Sequence, residues 1–140
     1  MSVTTTATAT AAAPAATVKP LIANGLIATV AAAAATAAVA AAGELAGISL
    51  AVAGKPIPLS GFATLTAIFS VMGLGLALVL ARTARRPRTA FVRTTLVLTA
   101  LSLVPDVLAD AAVTTKMLLM LTHLVAAAIV IPAIARRLSA

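Results

Sequence analysis

The chain has 140 residues, of which 62% are hydrophobic and only 9% are charged. Because a soluble domain usually carries about a quarter charged residues, this composition excludes a water-exposed globular surface and indicates a chain that lies in lipid. The net charge of +7 does not indicate nucleic-acid binding, because the basic residues cluster at the ends of apolar runs and no basic face carries aromatic residues for base stacking.

The first 20 residues are a low-complexity run of Thr and Ala that contains Pro14 and Pro20. Such a segment lacks the bulky apolar side chains that a packed core needs. We therefore predict a disordered tail over residues 1–20, followed by one membrane domain over residues 21–138.

Four apolar runs follow, each long enough to cross a hydrocarbon core of about 30 Å, which takes about 20 helical residues. The predicted transmembrane helices are 21–46, 61–82, 89–108 and 115–135. The first run is mostly alanine, so we expect that helix inside the bundle, packed through small side chains. Short connections predict an all-α, integral membrane four-helix up-down bundle.

The segment between the first two helices, residues 47–60, is broken by Gly54, Pro56 and Pro58. No helix continues through this pattern, which predicts a loop or a re-entrant turn. An alternative for the first helix is a signal peptide, since Ala-x-Ala cleavage sites end near Gly43. The apolar run is longer than a usual signal-peptide core of about 7–15 residues, but cleavage there would leave a three-helix product.

The basic residues predict the orientation. Those that fall on one side of the predicted bundle are Lys19, Arg82, Arg85, Arg86, Arg88, Arg93, Arg136 and Arg137, against Lys55 and Lys116 on the other. Short loops rich in Lys and Arg stay in the cytoplasm, so both termini and the basic hinge from Arg82 to Arg93 are expected there. The hinge favours contact with anionic lipid headgroups over docking of an acidic protein partner.

Three segments of the second half resemble a known family. They are RRPR at Arg85–Arg88, LSLVPD at Leu101–Asp106 and HLVAAAIVIPAIARRL at His123–Leu138. Together they resemble an uncharacterised family of four-helix membrane proteins, a domain of unknown function seen mainly in high-GC Gram-positive bacteria. The resemblance covers 21–138. It implies four helices and the plasma membrane, and it implies no activity.

A few polar residues lie within or beside the predicted helices and could form a site. His123 is the only histidine and lies well inside the fourth helix, where ionisable groups usually face the bundle with a partner. Ser102 and Asp106 are four residues apart and share one face of the third helix. We predict an outer polar cluster of Glu44, Ser102, Asp106 and His123. It acts either as a proton-responsive site or as a helix-to-helix hydrogen bond that sets the packing register.

Other chemistry has little support in the sequence. Cysteine is absent and there is a single histidine, so no metal-ligand spacing or pair of haem ligands can be recognised, and we expect no cofactor. We predict a non-enzymatic accessory or assembly component of the plasma membrane, in contact with the lipid bilayer and assembled with itself or with a larger membrane complex. The alternative is a proton-responsive small transporter or channel that acts as an oligomer.

Overall fold

The computed structural model describes residues 18–139 and contains four long helices joined by short connections. The elements in chain order are α1 (Val18–Leu45), β1 (Ala51–Val52), β2 (Lys55–Pro56), α2 (Leu59–Thr83), α3 (Pro87–Leu108) and α4 (Val113–Ala135). All four helices are long and apolar enough to cross a membrane. The predicted all-α four-helix membrane fold is therefore confirmed.

The helices begin two or three residues before their predicted starts, and prolines explain part of this difference. Pro20 lies in the first turn of α1, and Pro87 is the first residue of α3. Proline is tolerated there because the first N–H groups of a helix have no intrahelical partner. The predicted tail was wrong for residues 18–20, which are helical, and its remainder, 1–17, lies outside the described residues.

The helices form a four-membered ring in which each helix packs against its sequence neighbours. α1 packs against α2 and α4, whereas α3 packs against α4 and, less extensively, against α2. Within its most apolar 18 residues α1 buries 33%, compared with 11% for α3. The alanine-rich α1 is thus the most buried of the four helices, although it is a member of the ring and not enclosed by it, and α3 is the least buried.

Two glycines allow α1 to approach its neighbours closely. A Cβ atom at Gly25 would lie 2.5 Å from Cδ1 of Leu74 on α2, and one at Gly43 would lie 2.5 Å from Cδ2 of Leu118 on α4. Both separations are well below van der Waals contact, so each leucine fills the space that a larger residue would need. Small residues at such positions let membrane helices pack closely.

The apolar core is concentrated at the end of the bundle that carries the arginines. Phe91 is fully buried in the first turns of α3, within the same cluster as Leu21 of α1, Leu74 of α2 and Ile134 of α4, with Leu138 beyond α4. The opposite end of the bundle carries the connection between α1 and α2 and the connection between α3 and α4.

A small hairpin covers that opposite end. Strands β1 and β2 pair antiparallel, and the turn between them has positive φ angles at Ala53 (50°) and Gly54 (72°). The Ala53 N–H donates to the carbonyl of Asp110 at 2.8 Å, and the Thr115 hydroxyl donates to the carbonyl of Ser49 at 2.6 Å. The predicted loop thus contains a hairpin that is fastened to the connection between α3 and α4.

Candidate functional site

The pair Asp106–His123 joins α3 to α4 inside the apolar part of the bundle. Oδ2 of Asp106 lies 2.8 Å from Nδ1 of His123, and the aspartate side chain is 10% exposed, whereas the histidine side chain is 38% exposed. This is the only ion pair between side chains in residues 18–139. Two of the ionisable groups that the sequence places within the third and fourth helices therefore meet.

The contact is short but unevenly aligned. Nδ1 of His123 also lies 3.1 Å from the carbonyl oxygen of Leu119, one turn earlier on α4. That carbonyl satisfies the geometry of an N–H hydrogen bond, while the fully buried Oδ2 of Asp106 has no hydrogen-bond partner of suitable geometry. Because both neighbours of Nδ1 are oxygen atoms, the tautomer that carries its hydrogen on Nδ1 fits this arrangement.

The pairing depends on an offset between the ends of α3 and α4. Asp106 is two residues from the end of α3, whereas His123 is ten residues from the start of α4. At about 1.5 Å per residue, the two residues lie at the same height only if α3 ends about 12 Å, or roughly two turns, below the start of α4. The intervening residues are extended at Ala109 and Ala112, with ψ angles of 143° and 150°, and span this difference.

The end of α3 is also held by a lysine from α4. Nζ of Lys116 donates to the carbonyl of Val107 at 3.0 Å. A cation is favourable at the C-terminal end of a helix, where carbonyl groups point outward. Within α3, two residues before Val107, Pro105 has no N–H to donate to the carbonyl of Leu101. The C-terminal end of α3 is thus linked to α4 by Lys116 and by the Asp106–His123 contact.

Few other charged groups lie on the elements that surround the pair. α2 carries no charged residue before Arg82, and α1 carries only Lys19 and Glu44, at opposite ends. The connection after α3 contributes Asp110, and α4 contributes Lys116. Within residues 18–139, the side chains of Asp106 and His123 form an ion pair only with each other.

The structure brings together two of the four residues in the predicted outer cluster. Glu44 is exposed and forms no ion pair within the described part of the chain. The Ser102 hydroxyl donates to the carbonyl of Thr99 on its own helix at 2.7 Å. No three His, Asp or Glu side chains among residues 18–139 are grouped so that they could hold a metal ion.

Sequence reasoning missed two hydroxyl residues on the face of α3 that carries Asp106. Thr95 and Thr99 precede Ser102 and Asp106 at spacings of four, three and four residues. This spacing follows one side of a helix. The pattern is visible in the sequence, but it stands out only when the serine and threonine positions are compared with the aspartate.

The predicted basic hinge lies at the other end of the bundle, beside both ends of the chain's described part. All five of its arginines are exposed: Arg82, Arg85, Arg86, Arg88 and Arg93. The Arg88 N–H donates to the carbonyl of Ser139 at 3.2 Å, and the Arg137 guanidinium donates to Oδ1 of Asn24 at 3.2 Å. These bonds hold the hinge, the end of α4 and the start of α1 together.

The comparisons with known proteins agree with this small membrane fold and add no activity. Neither the curated proteins nor the solved structures contain a match to the chain. Residues 16–140 match a family of unknown function, DUF6069. The predicted resemblance to an uncharacterised family is confirmed, while the predicted bacterial distribution of that family stays a prediction. The match covers most of the sequence, and the chain therefore belongs to the DUF6069 family of unknown function.

Proposed function

We propose that this protein is a non-enzymatic component of the plasma membrane whose α3–α4 helix pair changes its packing when the Asp106–His123 pair gains or loses a proton. The observation that supports this is the 2.8 Å contact between Oδ2 and Nδ1 across the two helices. Histidine is the side chain whose charge ordinarily changes between about pH 5 and 8. A change of charge beside a buried carboxylate alters the balance of attraction and desolvation at the interface.

The packing of α3 supports a movement of this helix rather than of the others. α3 buries the smallest share of its apolar stretch, and between residues 94 and 106 only Asp106 is fully buried. A helix with few buried side chains has a small packing energy that opposes its displacement. A local change at Asp106 is therefore sufficient to shift α3 relative to α4.

The distribution of charge supports the proposed location and orientation. The structure gathers the hinge, the end of α4 and the start of α1 at one end of the bundle. All three acidic residues, Glu44, Asp106 and Asp110, lie in the opposite half of the bundle. By the positive-inside rule, the arginine-rich end faces the cytoplasm.

The proposal is tested by measuring the distance between α3 and α4 as a function of pH. The chain has no native cysteine, so spin labels attached at Val104→Cys on α3 and Leu124→Cys on α4 report this distance alone. Both positions are about half exposed and tolerate a label. In nanodiscs we expect the distance distribution to change between about pH 5 and pH 8, and His123→Gln to abolish that change.

A matched control separates titration from general destabilisation. Thr122→Val changes the residue next to His123. The Thr122 hydroxyl bonds only to the carbonyl of Leu119, so its loss should leave the pH response intact. The proposal is wrong if the wild-type distance is the same at both pH values, or if His123→Gln responds as the wild type does.

A second candidate function, lateral assembly, is favoured by the outer face of α3. Leu96, Val97, Leu98 and Leu101 are each more than half exposed, on the helix that its own bundle covers least. This face suits packing against a second copy or against a helix of a larger membrane complex. Native mass spectrometry of gently extracted protein tests this candidate, which requires a homo-oligomer or a stoichiometric partner and fails if only monomer with lipid is found.

A further inference from the structure

The inner face of α3 is polar along most of its length. Between residues 94 and 106 the side chains that are not exposed are Thr95, Thr99, Ser102, Leu103 and Asp106. Four of these five are polar, whereas the exposed positions in this range are mostly leucine and valine, with Thr94 as the one exposed polar residue. Most polar residues of this range therefore lie on the side that faces the bundle, which is the arrangement expected of a helix that borders a hydrated space.

The hydroxyl groups of this stripe remain able to bind water. Thr95 donates to the carbonyl of Phe91 at 2.8 Å, Thr99 to that of Thr95 at 2.8 Å, and Ser102 to that of Thr99. Each oxygen keeps lone pairs that accept a hydrogen bond. The three residues are only half-buried, and successive members lie about 4.5–6 Å apart along the axis, a distance that one bridging water spans.

The two ends of the stripe differ. At the outer end, Oδ2 of Asp106 is fully buried without a well-aligned hydrogen-bond partner, and it lies beside the partly exposed ring of His123. At the cytoplasmic end, Phe91 is one turn before Thr95 and is 0% exposed, packed in the apolar core. The outer end thus offers a group that binds protons, and the inner end is sealed by an aromatic ring.

We propose that the stripe of Thr95, Thr99, Ser102 and Asp106 is a hydrated proton path that begins at the Asp106–His123 pair and is closed at its cytoplasmic end by Phe91. This inference rests on the proposed function in one respect, that the pair binds protons. It adds a route by which those protons move along α3, and it makes protons and water, rather than a larger solute, the species that the bundle accommodates.

The transfer at the pair conserves protons. Nε2 of His123 binds an incoming proton, and the resulting imidazolium releases its Nδ1 proton to Oδ2 of Asp106, which becomes a neutral carboxylic acid. The carboxylic acid then passes that proton to a water molecule bound at Ser102 and returns to a carboxylate. The ring is then the Nε2–H tautomer, and exchange with water, which gives a proton to Nδ1 and accepts the proton on Nε2, restores the starting tautomer with no net change in protons.

The hydration of the stripe is tested by single cysteines in the cysteine-free chain. Thr99→Cys and Ser102→Cys probe the stripe, and Val97→Cys and Leu101→Cys probe the lipid-facing side of the same helix as matched controls. Thiolate is the form that reacts with a water-soluble thiosulfonate reagent, so hydrated positions should react at least about tenfold faster than lipid-facing ones. Equal rates on the two faces would overturn the inference.

Proton movement is tested in liposomes that contain a pH-sensitive dye, with an imposed potassium diffusion potential. In the Phe91→Leu background, in which the closed end is opened, we expect Thr99→Val to lower the proton flux by about tenfold, which corresponds to ~1.4 kcal/mol in the barrier. Thr29→Val removes a comparable hydroxyl, bonded to the carbonyl of Gly25 on α1, and should leave the flux unchanged. Phe91→Leu keeps an apolar residue but shortens the seal, so the flux should rise.

The outcomes distinguish this inference from the proposed function. If neither the wild type nor Phe91→Leu conducts protons above empty liposomes, the path is refuted, even where the α3–α4 distance still responds to pH. If that distance does not respond to pH but the flux depends on Thr99, the path stands and the proposed packing change fails. Equal flux in Thr99→Val and Thr29→Val also rejects the stripe as the route.

Discussion

At the scale of single residues, most hydroxyl groups in the bundle are satisfied by their own helix. Thr115 bonds instead to the carbonyl of Ser49. Thr36, which is fully buried on α1, lies 3.1 Å from the carbonyl of Ala33 on its own helix and also 3.0 Å from the hydroxyl oxygen of Thr66 on α2. Such a bond fixes the rotation and height of one helix against the next, because hydrocarbon offers no alternative partner. It is the side-chain hydrogen bond that ties α1 to α2 in the described part of the chain.

We predict that Thr36→Val and Thr66→Val each destabilise the bundle modestly and that their effects are not additive. The coupling energy should be about 0.6 kcal/mol and below about 1.7 kcal/mol, as found for hydrogen bonds between membrane helices. A double-mutant cycle on reversible unfolding in detergent measures it. Thr29→Val, which breaks a bond within α1, serves as the control, and a coupling energy of zero would show that the contact contributes nothing.

The sequence predicts which residues are unusual but not which of them meet. His123 and Asp106 stand out because ionisable groups are rare in apolar helices. Their contact depends on how far α3 ends below α4, which is set by extended backbone in the connection and leaves no periodic signal. Glu44 was grouped with them because it belongs to the same end of the bundle. It is exposed at the end of α1, and shared height alone does not bring side chains together.

At the scale of the elements, the four helices follow from hydropathy, whereas their ends and the hairpin do not. Apolar runs of this length have no other stable structure in lipid. Strands of two residues are too short to show the alternation that predicts a strand. The starts of α1 and α3 were displaced because proline, which breaks a helix in its interior, is compatible with the first turn. The close packing of α1 was expected from its alanines, but the two glycine contacts require the structure.

We predict that Gly25→Ile disrupts the packing of α1 against α2. The new side chain would occupy the space now filled by Leu74, and overpacking of this kind typically costs about 1–3 kcal/mol. Gly75→Ile is the matched control on α2, because a side chain there meets nothing within 4 Å. Thermal unfolding in detergent compares them, and equal melting temperatures for the two variants would contradict close packing at Gly25.

At the scale of the whole molecule, charge and packing are distributed along the same axis. The arginine-rich end contains the tight apolar core with Phe91, and the opposite end contains the hairpin and the Asp106–His123 pair. Loss of α1 by signal-peptide cleavage would remove the helix that packs against both α2 and α4. The bundle in this structure therefore depends on α1, the segment that the sequence predicts either as a transmembrane helix or as a signal peptide.

We predict that the hairpin lies outside the cell and the basic hinge inside. In intact cells, an impermeant maleimide should label Lys55→Cys, which is exposed in β2. Arg86→Cys, exposed between α2 and α3, should be labelled only after the membrane is permeabilised. The reverse pattern would mean that the positive-inside rule gives the wrong orientation for this chain.

The apolar surface that α3 presents to lipid is short, because a charged residue limits it at one end. Arg93 is exposed, and the uncharged outer surface from residue 94 to the end of the helix at Leu108 measures about 22 Å at the standard helical rise. The hydrocarbon core is about 30 Å thick. The corresponding apolar surface of α2, residues 61–81, extends about 31 Å and matches it. Lipids beside α3 therefore meet a hydrophobic mismatch that those beside α2 do not. The bilayer is expected to become thinner beside α3. The protein would therefore favour thinner regions of membrane, and it would associate with other membrane proteins that thin the bilayer in the same way.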